Sequence, residues 1–591
     1  MELGPLTAVK KRNSRLLMDV ALGKVEPDLV ITNARLVNVY THEILDNQAV
    51  AVKGEWIAYV GGAPDSLIGP STRVIDAAGR FLTPGLIEGH THLAWFFGIE
   101  EFLKYAVPGG TTTIITECLE PYPVSGISGA LDFLNSLQDQ PIKIFATAPA
   151  MVSISGKTRG IDPEDLQTLL NRDDILGIGE SYWQSVVQSP EVYLPAFERA
   201  LEKGKLLEGH SAGARNHKLC AYAACGITSC HEPISAGEAL ERLRLGIYVM
   251  AREGSVRRDL KAISEIKDQP VDLRRLIIST DGIQPVALME NGYMDHVVRR
   301  AVGYGFDPVT ALQMATINVA EHFRIDHLVG GIGPGKYADM ILLPDLNTFS
   351  PDLVISCGKV VSENGRMTVS PRHHVFLPES KQTIRLPAAF TAADFKISAP
   401  PEEPETNVRV IDMVTDLVTG EKMVAVPVHN GEIGISVSRD LLKISAVDRT
   451  HGPGRMFTGL IHGWGLKTGA LASSGAWDTT DIIVVGADES DMALAVNRII
   501  ELQGGAVLCA GGKIVLELAL PIFGLITQAP MAEIAAKVKG INEKVNALGV
   551  SFPDALLSVI TLTSAAIPYL KICEEGLVSL KDGMGKSLFI A

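Results

Sequence analysis

The sequence predicts an α/β protein with a (β/α)8 TIM-like barrel, a composite β-sandwich formed by both flanks of that barrel, and a C-terminal α+β domain. Short apolar strands alternate with helical segments through residues 82–328, as a parallel barrel requires. Strands separated by turn residues occupy both flanks of that stretch, which is typical of an antiparallel sandwich. A length of 591 residues is too great for one hydrophobic core, so several domains are expected.

The elements follow in chain order. The N-terminal arm and the first part of the sandwich occupy residues 1–81, where DLVITNARLVNVY and QAVAVKGEWIAYVGG predict strands. The barrel occupies residues 82–328, with strands such as KIFATA and LLEGH and helices such as PEDLQTLLNR and AGEALERLR. GPGKYADMILLP marks the return of the chain to the sandwich over residues 329–378, and ISAPPEEPETN belongs to a linker over residues 379–407. Residues 408–591, which include TDIIVVGAD and DMALAVNRIIELQGG, form the α+β domain.

Composition excludes several classes of protein. The net charge of -15 would repel a phosphate backbone, so nucleic acid is not expected as a partner. No run approaches 18 apolar residues and no secretory signal is visible, so we expect neither a membrane span nor export. Seven cysteines without a C-x-x-C pair suit a reducing, cytoplasmic location. A small neutral or cationic substrate is compatible with this acidic chain, and large apolar C-terminal segments favour a homodimer.

Two histidines end the first predicted barrel strand. His90 and His92 stand two residues apart in FLTPGLIEGHTH, so they project from one face of the strand. Two neutral imidazoles on one face suit a borderline divalent metal. The pair alone is weak evidence, since 14 histidines in 591 residues give about 0.3 such pairs by chance. Polar residues that simply leave a strand are then an equal alternative.

Four more ligand-type side chains end later apolar strands. Glu180 closes ILGIGE, His210 closes LLEGH, His231 closes GITSCH, and Asp281 closes LIISTD. The carboxyl ends of barrel strands meet at one face, which is where TIM-barrel active sites are built. Imidazoles with a bridging carboxylate can hold two cations that make hydroxide available near pH 7, and a further carboxylate can move protons. The six residues together predict a binuclear hydrolytic site.

With these residues the chain resembles the amidohydrolase superfamily and, within it, the bacterial adenine deaminases. The resemblance covers nearly the whole chain and includes GGTTTIIT, EGHSAG, SCHEPISAGEALERLRLGIYVMAREGS, GPGKYADMILL and HGWGLKTGALASS. It implies that His90 and His92 bind one metal and that Glu180 bridges both. It further implies that His210 and His231 complete the second metal's ligands, while Asp281 binds metal and accepts the proton of the nucleophile.

The implied reaction is hydrolytic deamination of adenine to hypoxanthine and ammonia, with Glu180 and Asp281 as catalytic residues. The family commonly uses manganese or iron. The ligand set itself fits zinc equally well, because imidazole and carboxylate suit all three metals. We therefore expect a binuclear divalent centre, with Mn²⁺ first and Fe²⁺ or Zn²⁺ as alternatives.

Four segments depart from the family's usual sequence. Residues 94–97 read Ala-Trp-Phe-Phe in place of Glu-Ser-Ser-Met, and residues 117–120 read Glu-Cys-Leu-Glu in place of Asp-Pro-His-Glu. Residues 280–285 read Thr-Asp-Gly-Ile-Gln-Pro in place of Thr-Asp-Asp-Arg-His-Pro. Residues 474–481 read Ser-Gly-Ala-Trp-Asp-Thr-Thr-Asp in place of Ser-x-Ala-His-Asp-Ser-His-Asn. Ordinary drift in loops is one explanation; a rebuilt substrate pocket on an intact metal core is the other.

The expected substrate contacts lie in or beside these segments: Trp95, Glu120, Glu232, Gln284 and Asp478. The first functional hypothesis is a deaminase of adenine or a close purine. The second is a related cyclic amidohydrolase that attacks another N-heterocycle. The third, an idle paralogue retained for binding, is disfavoured because all six ligands are present.

Overall fold

The N-terminal flank contributes the first strands of a mixed sheet. The computed structural model describes residues 12–62, 65–386, 389–399 and 404–590, so the start of the predicted N-terminal arm lies outside the described residues. Its elements are α1 (Ser14–Ala21), β1 (Leu29–Asn38), β2 (Glu43–Lys53), β3 (Trp56–Gly61), β4 (Arg73–Asp76) and β5 (Phe81–Pro84). β1 pairs antiparallel with β2 and parallel with β4 and β5.

The central region is an alternation of parallel strands and helices. The strands are β6 (Leu86–Thr91), β7 (Phe96–Phe97), β8 (Thr111–Glu117), β9 (Lys143–Ala148), β10 (Ile175–Tyr182), β11 (Leu206–His210), β12 (Ser229–Cys230), β13 (Tyr248–Arg252) and β14 (Leu276–Ser279). The helices are α2 (Ile99–Ala106), α3 (Pro121–Leu137), α4 (Pro163–Leu170), α5 (Trp183–Gln188), α6 (Pro190–Glu202), α7 (Asn216–Ala223), α8 (Ala236–Arg244), α9 (Leu260–Ile263), α10 (Pro285–Asn291), α11 (Met294–Gly303), α12 (Pro308–Met314) and α13 (Ile317–His322).

The parallel strands form two hydrogen-bonded arcs. One arc has the order β11-β10-β9-β8-β6 and the other β12-β13-β14. β14 lies beside β6, and β12 lies beside β11. All seven residues of β8 are buried, which suits a parallel strand covered on both faces. The arcs therefore bring the carboxyl ends of β6, β10, β11, β12 and β14 toward one another.

Two of the surrounding helices show why the local sequence folds as predicted. The Asp162 side chain accepts hydrogen bonds from the first amides of α4, and proline stands at the start of that helix. The Ser235 hydroxyl accepts from the amide of Glu238 at the start of α8. These helices coincide with the predicted PEDLQTLLNR and AGEALERLR segments.

The chain then returns to the first sheet. The returning strands are β15 (Met340–Leu343), β16 (Leu353–Ser356), β17 (Lys359–Glu363) and β18 (Arg366–Met367). β15 pairs antiparallel with β5, so a single nine-stranded sheet contains strands from both flanks. Its apolar residues are buried on both sides, against the central region and in a separate cluster that includes Leu36 and Ile355.

The C-terminal part is built on a ten-stranded sheet. Its strands are β19 (Ile397–Ser398), β20 (Glu405–Met413), β21 (Thr419–His429), β22 (Glu432–Ile433), β23 (Leu441–Asp448), β24 (Met456–His462), β25 (Ala470–Ser473), β26 (Asp481–Gly486), β27 (Gly505–Ala510) and β28 (Lys513–Ala519). Outside that sheet lie β29 (Ile526–Thr527), β30 (Leu570–Cys573), β31 (Gly576–Ser579) and β32 (Met584–Lys586). The helices are α14 (Glu489–Leu502), α15 (Met531–Ala547) and α16 (Ala555–Ile560).

Two of the contacts that hold the later part of the chain on the central region involve β7 and α3. β29 pairs in parallel with β7, which begins only four residues after His92. The buried Asp132 of α3 accepts hydrogen bonds from His374 Nε2 at 2.8 Å, from the Leu377 amide at 3.0 Å and from Ser380 Oγ at 2.5 Å. The segment that leads out of the central region is thereby held on α3. No helix in the described part of the chain is long and apolar enough to cross a membrane.

Candidate metal centre

Six ligand-type side chains converge where the parallel strands end. His90 lies in β6 and His92 follows it, Glu180 is in β10, and His210 is the last residue of β11. His231 comes directly after β12, and Asp281 comes two residues after β14. The structure therefore brings together all six residues that the sequence selected as metal ligands.

The six residues fall into three overlapping groups whose ligand atoms lie within 4.8 Å of one another. The groups are His90, His231 and Asp281; His90, His92 and Glu180; and Glu180, His210 and His231. The two oxygens of Glu180 face different histidines: Oε2 lies 2.9 Å from His231 Nε2, and Oε1 lies 3.8 Å from His92 Nε2. Such imidazole and carboxylate donors suit a divalent cation, and Glu180 belongs to two of the three groups.

The outer nitrogens of two histidines face other carboxylates. His92 Nδ1 lies 2.5 Å from Glu120 Oε1, and His90 Nδ1 lies 3.5 Å from Glu117 Oε1. A carboxylate on the far nitrogen of a metal-binding imidazole fixes its tautomer and orientation. Among the described residues His210 Nδ1 has no partner. The Nε2 atoms of His90 and His92 both point to Asp281 Oδ1, at 3.2 and 3.5 Å.

Burial and charge act against each other at these carboxylates. Burial alone would raise the pKa of Glu180, but the hydrogen bond from His231 and the nearby histidine charges lower it to about 2. Asp281 is likewise buried, yet hydrogen bonds with His90 and His92 hold its pKa well below the usual value. Burial raises the pKa of Glu117 to about 7, although the charge of His90 opposes that rise. The centre therefore keeps Glu180 and Asp281 ionised, as ligands must be.

A cavity of about 350 Å³ opens onto this centre. Its inner wall includes Glu232 and Arg252, which contact each other, and Arg252 Nη1 also donates to Asp281 Oδ2 at 3.0 Å. The outer wall is largely apolar and comes from the C-terminal part, including Trp477 and residues 566–569. An apolar cavity with a few convergent polar groups is typical of a small-molecule site.

Only one of the five expected substrate contacts lines this cavity in the described part of the chain. That residue is Glu232, which turns inward because β12 already ends at Cys230. Glu120 instead holds His92, and Trp95 packs edge-on behind Trp477 with ring centroids 5.8 Å apart. These two side chains support the wall from behind.

The other two expected contacts also lie behind the wall. Gln284 bonds through its side chain to Asp554 and through its backbone amide to Ser255 Oγ, at 2.8 Å. Asp478 Oδ1 lies 3.0 Å from the Tyr182 hydroxyl, with which it shares a hydrogen bond. The segments that differ from the family therefore reach the cavity mainly through Trp477.

Three residues that the structure places at or next to the centre were not expected there from the sequence. Tyr182 and Glu117 stand at strand ends, and the two-residue strand period from Glu180 could have indicated Tyr182. Trp477 lies almost parallel to His92, with centroids 6.2 Å apart, and no local pattern indicated that contact.

Two segments of the chain match known protein families. Residues 81–361 match the amidohydrolase family, and residues 416–583 match the adenine deaminase C-terminal domain. Proteins named adenine deaminase are similar over nearly their whole length. The one from Moorella thermoacetica is 34% identical over 574 residues and covers 96% of both chains, and one from Clostridium botulinum is 33% identical over 586 residues and covers 98% of both. This chain therefore belongs to the adenine deaminase family within the amidohydrolase superfamily.

Solved structures also resemble the chain over part of its length. N-acetylglucosamine-6-phosphate deacetylase from Pasteurella multocida has 19% sequence identity and a TM-score of 0.45. That similarity covers 56% of this chain and 99% of the other.

Proposed function

We propose that this protein hydrolyses adenine to hypoxanthine and ammonia with two divalent cations bound at the candidate metal centre. The observation that carries the proposal is the convergence of four imidazoles and two carboxylates at the carboxyl ends of parallel strands. Full-length similarity to proteins named adenine deaminase supports adenine as the substrate. Mn²⁺ is the cation we expect first, with Fe²⁺ or Zn²⁺ as alternatives.

His90, His92, Glu180, His210, His231 and Asp281 would hold the cations, with Glu180 between the two. When bound, the cations make hydroxide available from water near pH 7. Asp281 is our candidate for the proton acceptor. Arg252 occupies its Oδ2, so Oδ1, which faces His90 and His92, is the oxygen turned to the centre. From there the proton would pass to the departing amine.

The cavity walls would hold the purine ring. Trp477 presents an aromatic surface nearly parallel to the His92 ring, and Val256 and Ile567 add apolar surface. Glu232, whose side chain is 11% exposed, offers a hydrogen-bond acceptor on the inner wall. A flat base with polar edges fits walls of this kind.

A second candidate is hydrolysis of another purine or N-heterocycle by the same chemistry. The observation that favours it is Trp477, which stands in the cavity wall where the family usually has a histidine. Replacing a histidine with an indole changes which polar edges of a substrate ring can find a hydrogen-bond partner in the cavity wall. A polar group left without a partner costs about 1–3 kcal/mol, which is enough to change specificity.

The deciding experiment is an ammonia-release screen on metal-free protein and on protein reloaded with Mn²⁺. We expect adenine to be turned over only after reloading, and His90→Ala to abolish both metal binding and turnover. The matched control is His373→Ala, since His373 is an exposed histidine on the outside of the protein. Turnover of another purine, a pterin or a cyclic urea but not of adenine would replace adenine with the second candidate. Full activity of the metal-free protein would refute the metal-dependent mechanism.

The fold, the oligomeric state and the cellular location of the protein can be proposed as well. We propose that the two arcs form one closed (β/α)8 barrel, that the flanking strands form a composite sandwich, and that the protein is a cytoplasmic homodimer. Light scattering on purified protein tests the homodimer, because a mass near 63 kDa would identify a monomer.

A further inference from the structure

Tyr182 connects the candidate metal centre to the C-terminal part of the chain. It ends β10 two residues after Glu180, so the two side chains share one face of the strand. Its hydroxyl lies 3.2 Å from Glu180 Oε1 and 3.0 Å from Asp478 Oδ1. Its ring also packs edge-on against His210, with centroids 4.8 Å apart. One side chain therefore touches two proposed metal ligands and reaches a residue from another part of the chain.

Asp478 is held in place from both sides. Its Oδ2 accepts hydrogen bonds from Ser564 Oγ at 2.8 Å and from the Ala565 amide at 2.9 Å. Its backbone carbonyl accepts from Ser153 Oγ at 2.6 Å and from Thr158 Oγ1 at 3.3 Å. The residue also has a left-handed backbone, with φ 65°. Oδ1, which faces Tyr182, is thus fixed by contacts that do not involve the cavity.

The hydroxyl of Tyr182 has one proton and two carboxylates within reach. A phenol donates one hydrogen bond and can accept another, so the hydroxyl can donate to Glu180 Oε1 while its oxygen accepts from the protonated form of Asp478. Burial and the charge of Glu180 raise the pKa of Asp478 to about 6, which favours that form. We propose that Asp478 is a positioning residue that acts through Tyr182 to hold the carboxylate of Glu180 in place within the two groups of ligand atoms that share it. The C-terminal part of the chain would then help to shape the metal centre as well as the cavity wall.

Packing alone does not explain a carboxylate at this position. Asp478 is 7% exposed, and burying a carboxylate near Glu180 costs free energy unless it is well bonded. The fully buried Lys571 donates to the Thr561 carbonyl at 3.1 Å, and its charge acts on Asp478. The surroundings of Asp478 are therefore built to keep its hydrogen bond to Tyr182.

The inference rests on the proposed function only in that Glu180 binds metal. The test is a double-mutant cycle measured as Mn²⁺ binding to metal-free protein by calorimetry, with no substrate present. Tyr182→Phe should weaken Mn²⁺ binding about tenfold, because losing a partner of a metal ligand typically costs about 10–100-fold in affinity. Asp478→Ala should have a similar effect, and the double variant should bind no more weakly than Tyr182→Phe alone.

Conservative and matched variants separate positioning from packing. Asp478→Asn keeps a hydrogen-bonding group opposite the Tyr182 hydroxyl, so it should retain affinity within about threefold. Tyr193→Phe is the control, since Tyr193 is a buried tyrosine that bonds to Arg159, away from the centre. It should bind Mn²⁺ as the wild type does. If Asp478→Ala does not fold, Asp478→Ser replaces it, because a serine hydroxyl can still bond to the 564–565 segment.

Several outcomes would overturn the inference. Wild-type affinity in Tyr182→Phe would do so, and so would additive losses in the double variant or an Asp478→Asn as weak as Asp478→Ala. A wild type that binds Mn²⁺ but releases no ammonia from adenine refutes the proposed substrate, while the cycle still decides the role of Asp478. A wild type that binds no Mn²⁺ overturns both proposals.

Discussion

Replacing Glu120 with glutamine tests whether a carboxylate behind His92 sets the affinity of the metal centre. Glu120 Oε1 lies 2.5 Å from His92 Nδ1, whereas its Oε2 is buried without a partner among the described residues. In Glu120→Gln the amide oxygen can still accept from Nδ1, but the negative charge is lost. The NH₂ group would then occupy the unpartnered side. The change is therefore electrostatic, with the shape of the side chain retained.

The size of the effect follows from the contact. A hydrogen bond to a charged acceptor contributes about 1.5–3 kcal/mol and a neutral one about 0.5–1.5 kcal/mol, so about 1–1.5 kcal/mol should be lost. Since about 1.4 kcal/mol corresponds to a factor of ten, Mn²⁺ should bind about tenfold more weakly. This lies within the range of about 10–100-fold seen when partners of metal-binding histidines are removed.

The assay is calorimetric titration of metal-free protein with Mn²⁺, beside the recovery of ammonia release as Mn²⁺ is added back. Glu100→Gln is the matched control, because Glu100 Oε2 lies 3.0 Å from Nδ1 of the exposed His373 and neither residue belongs to the candidate centre or lines its cavity. We expect the control to behave as the wild type. Unchanged Mn²⁺ affinity in Glu120→Gln would refute the idea that this carboxylate tunes His92.

Three further predictions concern the fold and the cavity. Burial lowers the pKa of Lys571 to about 7, below the value of about 10.4 in an unfolded chain. The buried charge therefore destabilises the folded state fully below pH 7, and this destabilisation fades as pH rises toward 10.4. Lys571→Met should therefore raise the free energy of unfolding of the metal-free protein by about 1–4 kcal/mol at pH 6. Urea denaturation at pH 9 should show a smaller gain, and equal gains at the two pH values would contradict a buried charge on Lys571. Trp477→Ala should raise KM for the accepted base about tenfold or more with a smaller change in kcat, since base–aromatic stacking contributes about 1–3 kcal/mol. An unchanged KM in steady-state kinetics would count against Trp477 as a substrate contact. Arg252→Met leaves Glu232 and Asp281 without their shared guanidinium, so urea unfolding of the metal-free protein should show a loss of about 3–5 kcal/mol; a loss below about 1 kcal/mol would show that the pairing matters little.

The alternation of strands and helices was readable because it is a local property. A capped helix such as α4 and a fully buried strand such as β8 each carry their own periodicity and end signals. The return of β15 to β5 followed from similar strand-turn patterns on both flanks. The cavity wall has no such local signal. Trp477 and residues 566–569 are separated by about ninety residues and meet only through the fold of the C-terminal part.

Three residues that the sequence predicted as substrate contacts do not line the cavity. Trp95, Gln284 and Asp478 stand in segments that depart from the family, and each was expected in the cavity. Their side chains lie behind it because the loops that carry them are turned by long-range partners. Gln284 is drawn to Asp554, 270 positions away, and Asp478 to Tyr182, 296 positions away. A departure from a family sequence marks a changed segment without showing which way its side chains point.

The sequence by itself determined the six side chains of the candidate metal centre and the order in which they occur. It could do so because parallel strands of a barrel-like sheet bring their carboxyl ends to one face, so residues at those ends lie close together. Only the tertiary structure decided which carboxylate supports which histidine and that Trp477 forms the wall. It also decided that Asp478 meets Tyr182 behind Glu180. These contacts join residues that no periodicity relates, and they exist only once the C-terminal part of the chain has packed over the strand ends.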